Sequence, residues 1–399
     1  MGRGEGSDGA GELLEQEELP QPDRAPRARA AEEEMPRVVF TRRQIFAFGL
    51  FILCGVAFLY FVLPNIAGVG KTLNRIEGGD VWWLALGVAL ELLSFAGYVV
   101  LFRAVLAPDP HPPARVGWRE SYEITMAGLV ATRLFAAAGA GGVALTAWAL
   151  RRSGMEPRVV ACRMVAFMVL LYVIYAASLL IDGIGLGVGL FPGGGSFAIT
   201  FVPAMVAAVL FAVAGAIALL PGDLERRLDG WASSSARAAR WVARAVTVPA
   251  LAASGVRTAI DSIRGRDPGL LGALVWWGFD ISVLWAMFHA FGSPPPFTVI
   301  WMAYFVGMLG NLLPLPGGLG GVEGGMIGAF AAFNVPLNLA VVAVLSYRAI
   351  SFWLPTLPGV VAYFQLRRTV ARWRHEQPAA PAGAVRAGSS EPASALQSS

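Results

Sequence analysis

The chain reads Asn311-Leu-Leu-Pro314-Leu-Pro316-Gly317-Gly318-Leu-Gly320-Gly321-Val-Glu323 in the middle of an apolar region long enough to enter a membrane. Proline has no backbone N–H and glycine is a poor helix former, so this block cannot continue a helix. In hydrocarbon, the freed backbone groups must be satisfied by protein or by a water-filled cavity. The block therefore predicts either a cavity or a tight re-entrant turn.

A similar block occurs earlier in the chain and reads Arg133-Leu-Phe-Ala-Ala-Ala138-Gly139-Ala-Gly141-Gly142-Val143. With a single gap, Gly141-Gly142 aligns with Gly320-Gly321. The register then holds as far as Pro157 and Pro336, each 15 residues past its glycine pair. Two matching broken segments are typical of transporters built from repeats.

The composition excludes an ordinary soluble protein. Of 399 residues, 56% are hydrophobic and 15% are charged, which is too apolar for a chain of solvated helices. Cys54 and Cys162 both lie in predicted spans, so they indicate neither a disulfide framework nor a metal site. The apolar runs long enough to cross a bilayer are 45–63, 81–106, 157–181, 199–220, 269–291 and 336–364.

Two further apolar regions, 120–152 and 297–333, are each split by one of the glycine blocks. The second half of the first region, 139–151, would rise only about 20 Å as a helix, against a bilayer core of roughly 30 Å. Each region is therefore predicted to be a hairpin that enters and leaves on one side. A straight short helix in a thinned bilayer is the alternative.

Arginine placement predicts the orientation, because positively charged loops stay in the cytoplasm. Six full spans and two hairpins place all the arginine-rich loops on one face, with both termini cytoplasmic. Three full crossings separate the hairpins, so the hairpins should be inverted and their tips should meet near the midplane. The predicted fold is thus an all-α polytopic membrane protein with about six full transmembrane helices plus two inverted re-entrant helical hairpins.

The predicted domain organisation has three parts. Residues 1–40 and 371–399 are expected to be disordered cytoplasmic tails because they are rich in Pro, Gly, Ala and charged or small polar residues. Residues 41–370 form the transmembrane domain. Its arginine-rich segment 223–266 is either an amphipathic element on the inner leaflet, broken at Pro249, or an ordinary cytoplasmic linker.

Five charged residues lie deep in the predicted spans and hairpins: three acids and two arginines, namely Glu91, Arg133, Asp280, Glu323 and Arg348. Each costs at least about 2.5 kcal/mol at a helix centre, so each should face a cavity or a partner. The counts indicate pairing with one surplus acid. Their alternative role is purely structural, as buried pairs that fix helix register.

Each hairpin's second helix should begin at the midplane, near Gly141 and Gly320. A helix N-terminus there offers unpaired N–H groups and a positive dipole end, which suit an anion such as a phosphate. Arg133 would add a full positive charge. Glu323 falls in the first turn of the second such helix, where it either satisfies the helix terminus or binds a cationic headgroup or a proton.

The block from Asn311 to Glu323 resembles the hallmark of the lysylphosphatidylglycerol synthase transmembrane-region family, also called flippase-like membrane proteins. The segment Tyr347-Arg348-x3-Phe352-Trp353-x-Pro355 is similar to that family's Tyr-Arg segment before its final span. The resemblance covers roughly 40–370. It implies lipid handling, with the matched positions Asn311, Pro314, Pro316, Glu323 and Arg348. About 30 mostly polar residues follow the last span, so synthase activity is not implied.

The leading hypothesis is therefore a lipid flippase in the cell membrane of a bacterium with a GC-rich genome. A phospholipid (anionic or aminoacylated) or a polyprenyl-linked lipid would pass its headgroup through a midplane cavity. Arg133 and the hairpin dipole ends would hold phosphate, while Glu91, Asp280 or Glu323 would balance cationic groups or carry coupling protons. The predicted substrate-binding residues are Glu91, Arg133, Gly141, Gly142, Asp280, Asn311, Pro314, Pro316, Gly317, Gly318, Gly320, Glu323 and Arg348.

The alternative hypothesis is a membrane scaffold or accessory subunit, without transport of its own, for a separate lipid synthase or glycosyltransferase. A homodimer is a further arrangement to consider. No zinc-ligand spacing, nucleophile elbow or soluble carboxylate pair is found in the sequence. We therefore expect no enzymatic activity, no cofactor, no metal and no nucleic-acid partner.

Overall fold

A computed structural model describes residues 79–107, 116–134, 140–219, 237–313 and 318–376, and this part of the chain is helical with no strand. The predicted first span, 45–63, the tail 1–40 and residues 377–399 lie outside the described residues. The described helices are α1 Val81–Leu106, α2 Trp118–Leu134, α3 Ala140–Arg152, α4 Pro157–Gly187, α5 Phe197–Ala218, α6 Arg237–Arg264, α7 Leu271–Phe291, α8 Phe297–Met308, α9 Gly321–Ala332, α10 Leu337–Arg348 and α11 Thr356–Glu376.

Three short turns continue these helices. Pro268–Leu270 and Leu309–Leu312 are 3-10 turns before α7 and after α8, and Ala349–Trp353 is a π-helical turn between α10 and α11. Five segments among the described residues are long and apolar enough to cross a membrane: Val81–Leu106, Pro157–Gly187, Phe197–Ala218, Pro268–Phe291 and Leu337–Trp373. They coincide with five of the six predicted spans.

The first glycine block lies between α2 and α3, which form an antiparallel helical hairpin. A Cβ on Gly142 would lie 2.0 Å from Thr132 Oγ1 and 2.5 Å from the carbonyl oxygen of Gly128, so the two helices touch through backbone. With 17 and 13 residues, these helices rise about 25 Å and about 20 Å. Both are shorter than the roughly 30 Å of a bilayer core.

The second glycine block lies between α8 and α9, which form a second antiparallel hairpin. A Cβ on Gly310 would lie 2.3 Å from the carbonyl carbon of Gly321, and a Cβ on Gly325 would lie 3.0 Å from the Cα of Gly307. The 12 residues of α9 rise about 18 Å, which is again too short for a full crossing. Gly142 and Gly321, aligned in the sequence, thus make the same kind of contact in their hairpins.

The core is built around α1 and α7, which pack closely along their length. A Cβ on Gly272 would lie 2.4 Å from the carbonyl oxygen of Gly97, so the two backbones are nearly in contact there. Both hairpins, α4 and α10 surround this pair, and buried aromatic side chains such as Phe288, Tyr304 and Phe330 fill the space between them. This arrangement turns the few charges of α1 and α7 towards the protein interior.

Two details differ from the sequence-based expectations. Helix α6 continues through residue 249, where the sequence predicted a break. A proline removes a single helical hydrogen bond, and α6 is held by packing against α4 and α5, with Ala253 and Ala259 buried. At the other end, α11 extends to Glu376, so the first residues of the predicted tail 371–399 are helical.

Candidate functional site

The last span is broken at its middle by the π-helical turn Ala349–Trp353, and the sequence explains the break. Pro355 has no N–H to donate to the carbonyl of Ser351, four residues earlier, so that carbonyl loses its helical partner. A carbonyl freed inside a membrane segment needs another donor. The Ser351 carbonyl therefore needs a hydrogen-bond donor from elsewhere in the protein.

Arg133, at the end of α2, supplies that donor. Its Nη2 donates to the Ser351 carbonyl at 2.8 Å, and its Nη1 donates to the Phe352 carbonyl and to Thr356 Oγ1, the latter at 2.9 Å. Its guanidinium also lies 4.9 Å from the centre of the Phe352 ring, within cation–π range. The first hairpin is thereby fastened to the broken helix.

Glu323, in the first turn of α9, fastens the second hairpin to the same place. Its Oε1 accepts from Arg348 Nε at 2.7 Å, and its Oε2 accepts from the backbone N–H of Gly320 at 2.7 Å. The side chain of Glu323 is only 2% exposed, so the pair is largely dry. Glu323 thus satisfies its helix terminus, and the Gly320 N–H predicted to bind an anion is already occupied.

The remaining two charged residues, Asp280 of α7 and Glu91 of α1, lie next to each other. Asp280 of α7 accepts hydrogen bonds from the hydroxyls of Tyr304 and Tyr347, the latter at 3.0 Å. Glu91 of α1 lies directly beside it, close enough for the two carboxyl groups to share a hydrogen bond. Glu91 and Asp280 are 1% and 7% exposed.

All five charges predicted from the sequence therefore belong to one network, which we call the midplane network after the position that the sequence predicts for the hairpin tips: Glu91, Arg133, Asp280, Glu323 and Arg348. The two arginines are partly exposed, whereas the three acids are buried. Both guanidiniums lie over the ring of Phe352. The network has a cationic edge and an acidic interior, and an anion would meet the cationic edge first.

The other predicted site residues are placed as follows. Gly142 is used for the contact between α2 and α3, and Gly141 precedes it in the first turn of α3. Asn311 lies in an exposed 3-10 turn, where its Nδ2 lies 3.3 Å from the sulfur of Met308. Gly318 and Gly320 have φ values of +67° and +83°, a region that favours glycine. Pro314, Pro316 and Gly317 lie outside the described residues.

Several residues of the network were not predicted from the sequence. Tyr304, Ser351 and Thr356 are ordinary residues of apolar segments, and no local pattern marks them. Tyr347 belongs to the Tyr-Arg segment that resembles the family, but its bond to Asp280 depends on how α7 and α10 pack. Pro355 carried a usable signal, because a proline in a span frees the carbonyl four residues before it.

A further buried acid, Asp182 of α4, lies outside the predicted spans. Asp182 is 1% exposed, and neither carboxylate oxygen has a hydrogen-bond partner among the described residues. The predicted span 157–181 ended one residue before it, whereas α4 extends to Gly187. Asp182 is separate in sequence from all members of the midplane network, and no contact with them is observed.

Comparison with protein families decides the relationship of this chain. The sequence profile described as "Lysylphosphatidylglycerol synthase TM region" matches residues 44–359, well over half of the chain. The chain belongs to this family. Within the family region, the block Asn311–Glu323 and the segment Tyr347–Pro355 are joined directly, through the bond between Glu323 and Arg348.

Individual relatives are similar over shorter stretches. A UPF0104 membrane protein of Methanothermobacter thermautotrophicus is 37% identical over 109 residues, which cover 27% of this chain and 31% of the relative. A UPF0104 membrane protein of Methanocaldococcus jannaschii is 31% identical over 93 residues, covering 23% of this chain and 28% of the relative. The chain thus aligns with about three tenths of these relatives' length, and their names state only that they are membrane proteins.

Proposed function

We propose that this member of the lysylphosphatidylglycerol synthase TM region family moves a lipid headgroup across the membrane between its two hairpins. The cargo would be a phospholipid or a polyprenyl-linked lipid whose phosphate binds at the cationic edge of the midplane network. The acyl or isoprenoid tails would remain in the surrounding lipid. The observation that carries the proposal is that the hydrogen bonds of Arg133 to the described residues use only part of its guanidinium.

Arg133 has five N–H groups, as every arginine does. Three are engaged by the π-helical turn and Thr356. Nε–H and one Nη2–H find no partner among the described residues. These two hydrogens form the side-on fork of a guanidinium, which matches two oxygens of a phosphate. Arg133 can therefore hold the broken helix with one edge and an anionic headgroup with the other.

The two hairpins would allow the free edge of the Arg133 guanidinium to be reached from either side of a membrane. Each hairpin has helices shorter than a bilayer core, and each is fastened to the break in the last span, by Arg133 in one case and by Glu323 in the other. We infer that the hairpins enter from opposite faces, as the three spans α4, α5 and α7 between them imply. A small movement of either hairpin would then open the network to one side only.

The same proposal includes the location and orientation of the chain. Arginines cluster where α3 ends and α4 begins (Arg151, Arg152 and Arg158) and in the segment 223–266 around α6, which holds eight, whereas the turns between α4 and α5 and between α7 and α8 carry none. By the positive-inside rule, the chain would lie in the cell membrane with both termini on the cytoplasmic side. Single cysteines introduced into these loops and labelled by a reagent added to one face only test this orientation directly.

The transport test uses purified protein in liposomes that contain fluorescent headgroup-labelled lipids: an anionic phospholipid, an aminoacylated one and a polyprenyl phosphate. Dithionite added outside quenches the outer leaflet, so further loss reports lipid that has crossed. We expect the wild-type protein to move at least one of these lipids, and Arg133→Ala and Glu323→Gln to lose that movement.

Arg151→Ala is the matched control, because Arg151 is exposed at the far end of the same hairpin. It should transport normally. If Arg133→Ala and Glu323→Gln both kept full transport, the headgroup site would be wrong. If the wild-type protein moved none of the lipids yet captured a synthase or glycosyltransferase, the scaffold alternative would replace transport.

A further inference from the structure

Glu91 and Asp280 form a pair of buried carboxyl groups held between α1 and α7. These two helices are the most closely packed pair in the described part of the chain, with Gly97 and Gly272 in backbone contact. The carboxyl groups therefore cannot separate without disturbing the core. Their close approach is built into the fold.

The two carboxyl groups differ in the hydrogen-bond donors around them. Asp280 Oδ2 accepts from two hydroxyls, those of Tyr304 on α8 and Tyr347 on α10. Glu91 Oε2 has no hydrogen-bond partner among the described residues. The hydrogen bonds stabilise a negative charge on Asp280, whereas no described group donates a hydrogen bond to Glu91 Oε2.

Two other charged groups lie near the pair, namely Arg133 from α2 and Arg348 from α10. Glu323 and Arg348 are paired with each other. With all groups ionised, three carboxylates face two guanidiniums and the network carries a net charge of −1. A single proton makes the network neutral and gives Glu91 an O–H to donate to Asp280.

We propose that Glu91 and Asp280 hold one proton between them and that this proton crosses the membrane together with the anionic headgroup. The proposal rests on the transport function above and names its energy source, a proton gradient. An O–H bond forms at Glu91 with a proton from water on one side. It breaks again when the proton is released to water on the other side, and no oxidation or reduction is involved.

The physical link between the two ligands is electrostatic. A phosphate at the cationic edge adds negative charge near the pair, so it favours the protonated form. By reciprocity, the bound proton favours phosphate binding by the same factor. With one proton and one singly charged headgroup bound, the network has the same net charge as it has when empty and deprotonated.

The test measures lipid movement and proton flux in the same liposomes. These contain the fluorescent anionic phospholipid, a pH-sensitive dye inside and an imposed pH gradient. We expect proton entry to accompany lipid movement in the wild-type protein. The lipid concentration at half-maximal rate should rise about tenfold per pH unit on the alkaline side of the pair's titration, since one proton binds with each headgroup.

Glu91→Gln keeps a hydrogen-bond donor towards Asp280 but cannot release a proton. This variant should therefore lose both the proton flux and the pH dependence of lipid movement. Asp182→Asn is the matched control, because it removes a buried carboxyl outside the network, and it should retain both. Lipid movement in the wild-type protein without proton flux would overturn the coupling and leave the transport function standing.

If the wild-type protein moves no lipid, the transport function is refuted. Infrared spectroscopy then tests separately whether Glu91 and Asp280 share a proton. The purified protein should show the carbonyl band of a protonated carboxylic acid, and this band should persist in Asp182→Asn and diminish in Glu91→Gln. If Asp182→Asn alone removed the whole band, no proton would be shared between Glu91 and Asp280 and the proposal would be wrong.

Discussion

Replacement of Glu323 by glutamine removes one charge from the junction between the second hairpin and the broken helix while keeping the side chain's shape. Glutamine can still accept the Gly320 N–H, so the loss is mainly that of the charge opposite Arg348, at present 2.7 Å away. Two unit charges 4 Å apart interact by about 4 kcal/mol at an effective dielectric constant of 20. Removing one partner of a buried pair costs about 3–5 kcal/mol. We expect Glu323→Gln to lower the free energy of unfolding by that amount.

The assay is equilibrium unfolding in mixed micelles with increasing sodium dodecyl sulfate, followed by circular dichroism. Glu156→Gln makes the same chemical change at an exposed position and should stay within about 0.5 kcal/mol of the wild type. The double variant Glu323→Gln/Arg348→Gln should cost about 1–3 kcal/mol less than the sum of its two single variants. Simple additivity, or a Glu323→Gln variant as stable as the control, would refute the pairing as a source of stability.

Three further changes test other parts of the structure. Gly142→Ala should destabilise the protein by about 1–3 kcal/mol because its Cβ meets backbone in the opposite helix, while Gly328→Ala, with open space around it, should be neutral or slightly stabilising. Tyr347→Phe should cost about 1.5–3 kcal/mol in the same unfolding assay, since it removes a hydrogen bond to a carboxylate. Arg133→Ala should speed amide hydrogen exchange in the π-helical turn by about tenfold or more, as the turn loses two donated hydrogen bonds and Thr356 beside it loses a third; an unchanged rate would show that Arg133 does not hold the turn.

Much of the fold was predictable because hydrocarbon restricts what a chain can do in it. Five of the predicted spans appear as helices of adequate length, and both glycine blocks separate short paired helices. The membership of the midplane network was predictable for the same reason, since five costly charges in apolar segments need partners. The family resemblance rested on blocks that the family profile then matched over residues 44–359.

The partner of each charge was not predictable. Arg133 was expected to face a cavity or a partner and to add positive charge for a phosphate, and in the structure it donates to the Ser351 carbonyl that Pro355 leaves without a helical donor. From the sequence, Glu323 could cap its helix terminus or bind a ligand. In the structure it accepts hydrogen bonds from the Gly320 N–H and from Arg348. The break expected in α6 at residue 249 is absent, because packing against α4 compensates for one lost hydrogen bond.

The sequence by itself determined that this chain lies in a membrane, where its helices are interrupted and which charges must be sheltered. These properties follow from composition and local backbone chemistry, which act without reference to distant residues. Only the tertiary structure decided that both hairpins meet at the break in the last span and that Glu91 and Asp280 stand side by side. Arg133 and Ser351 are 218 residues apart and Glu91 and Asp280 are 189 residues apart, so only the packing of whole helices fixes these contacts.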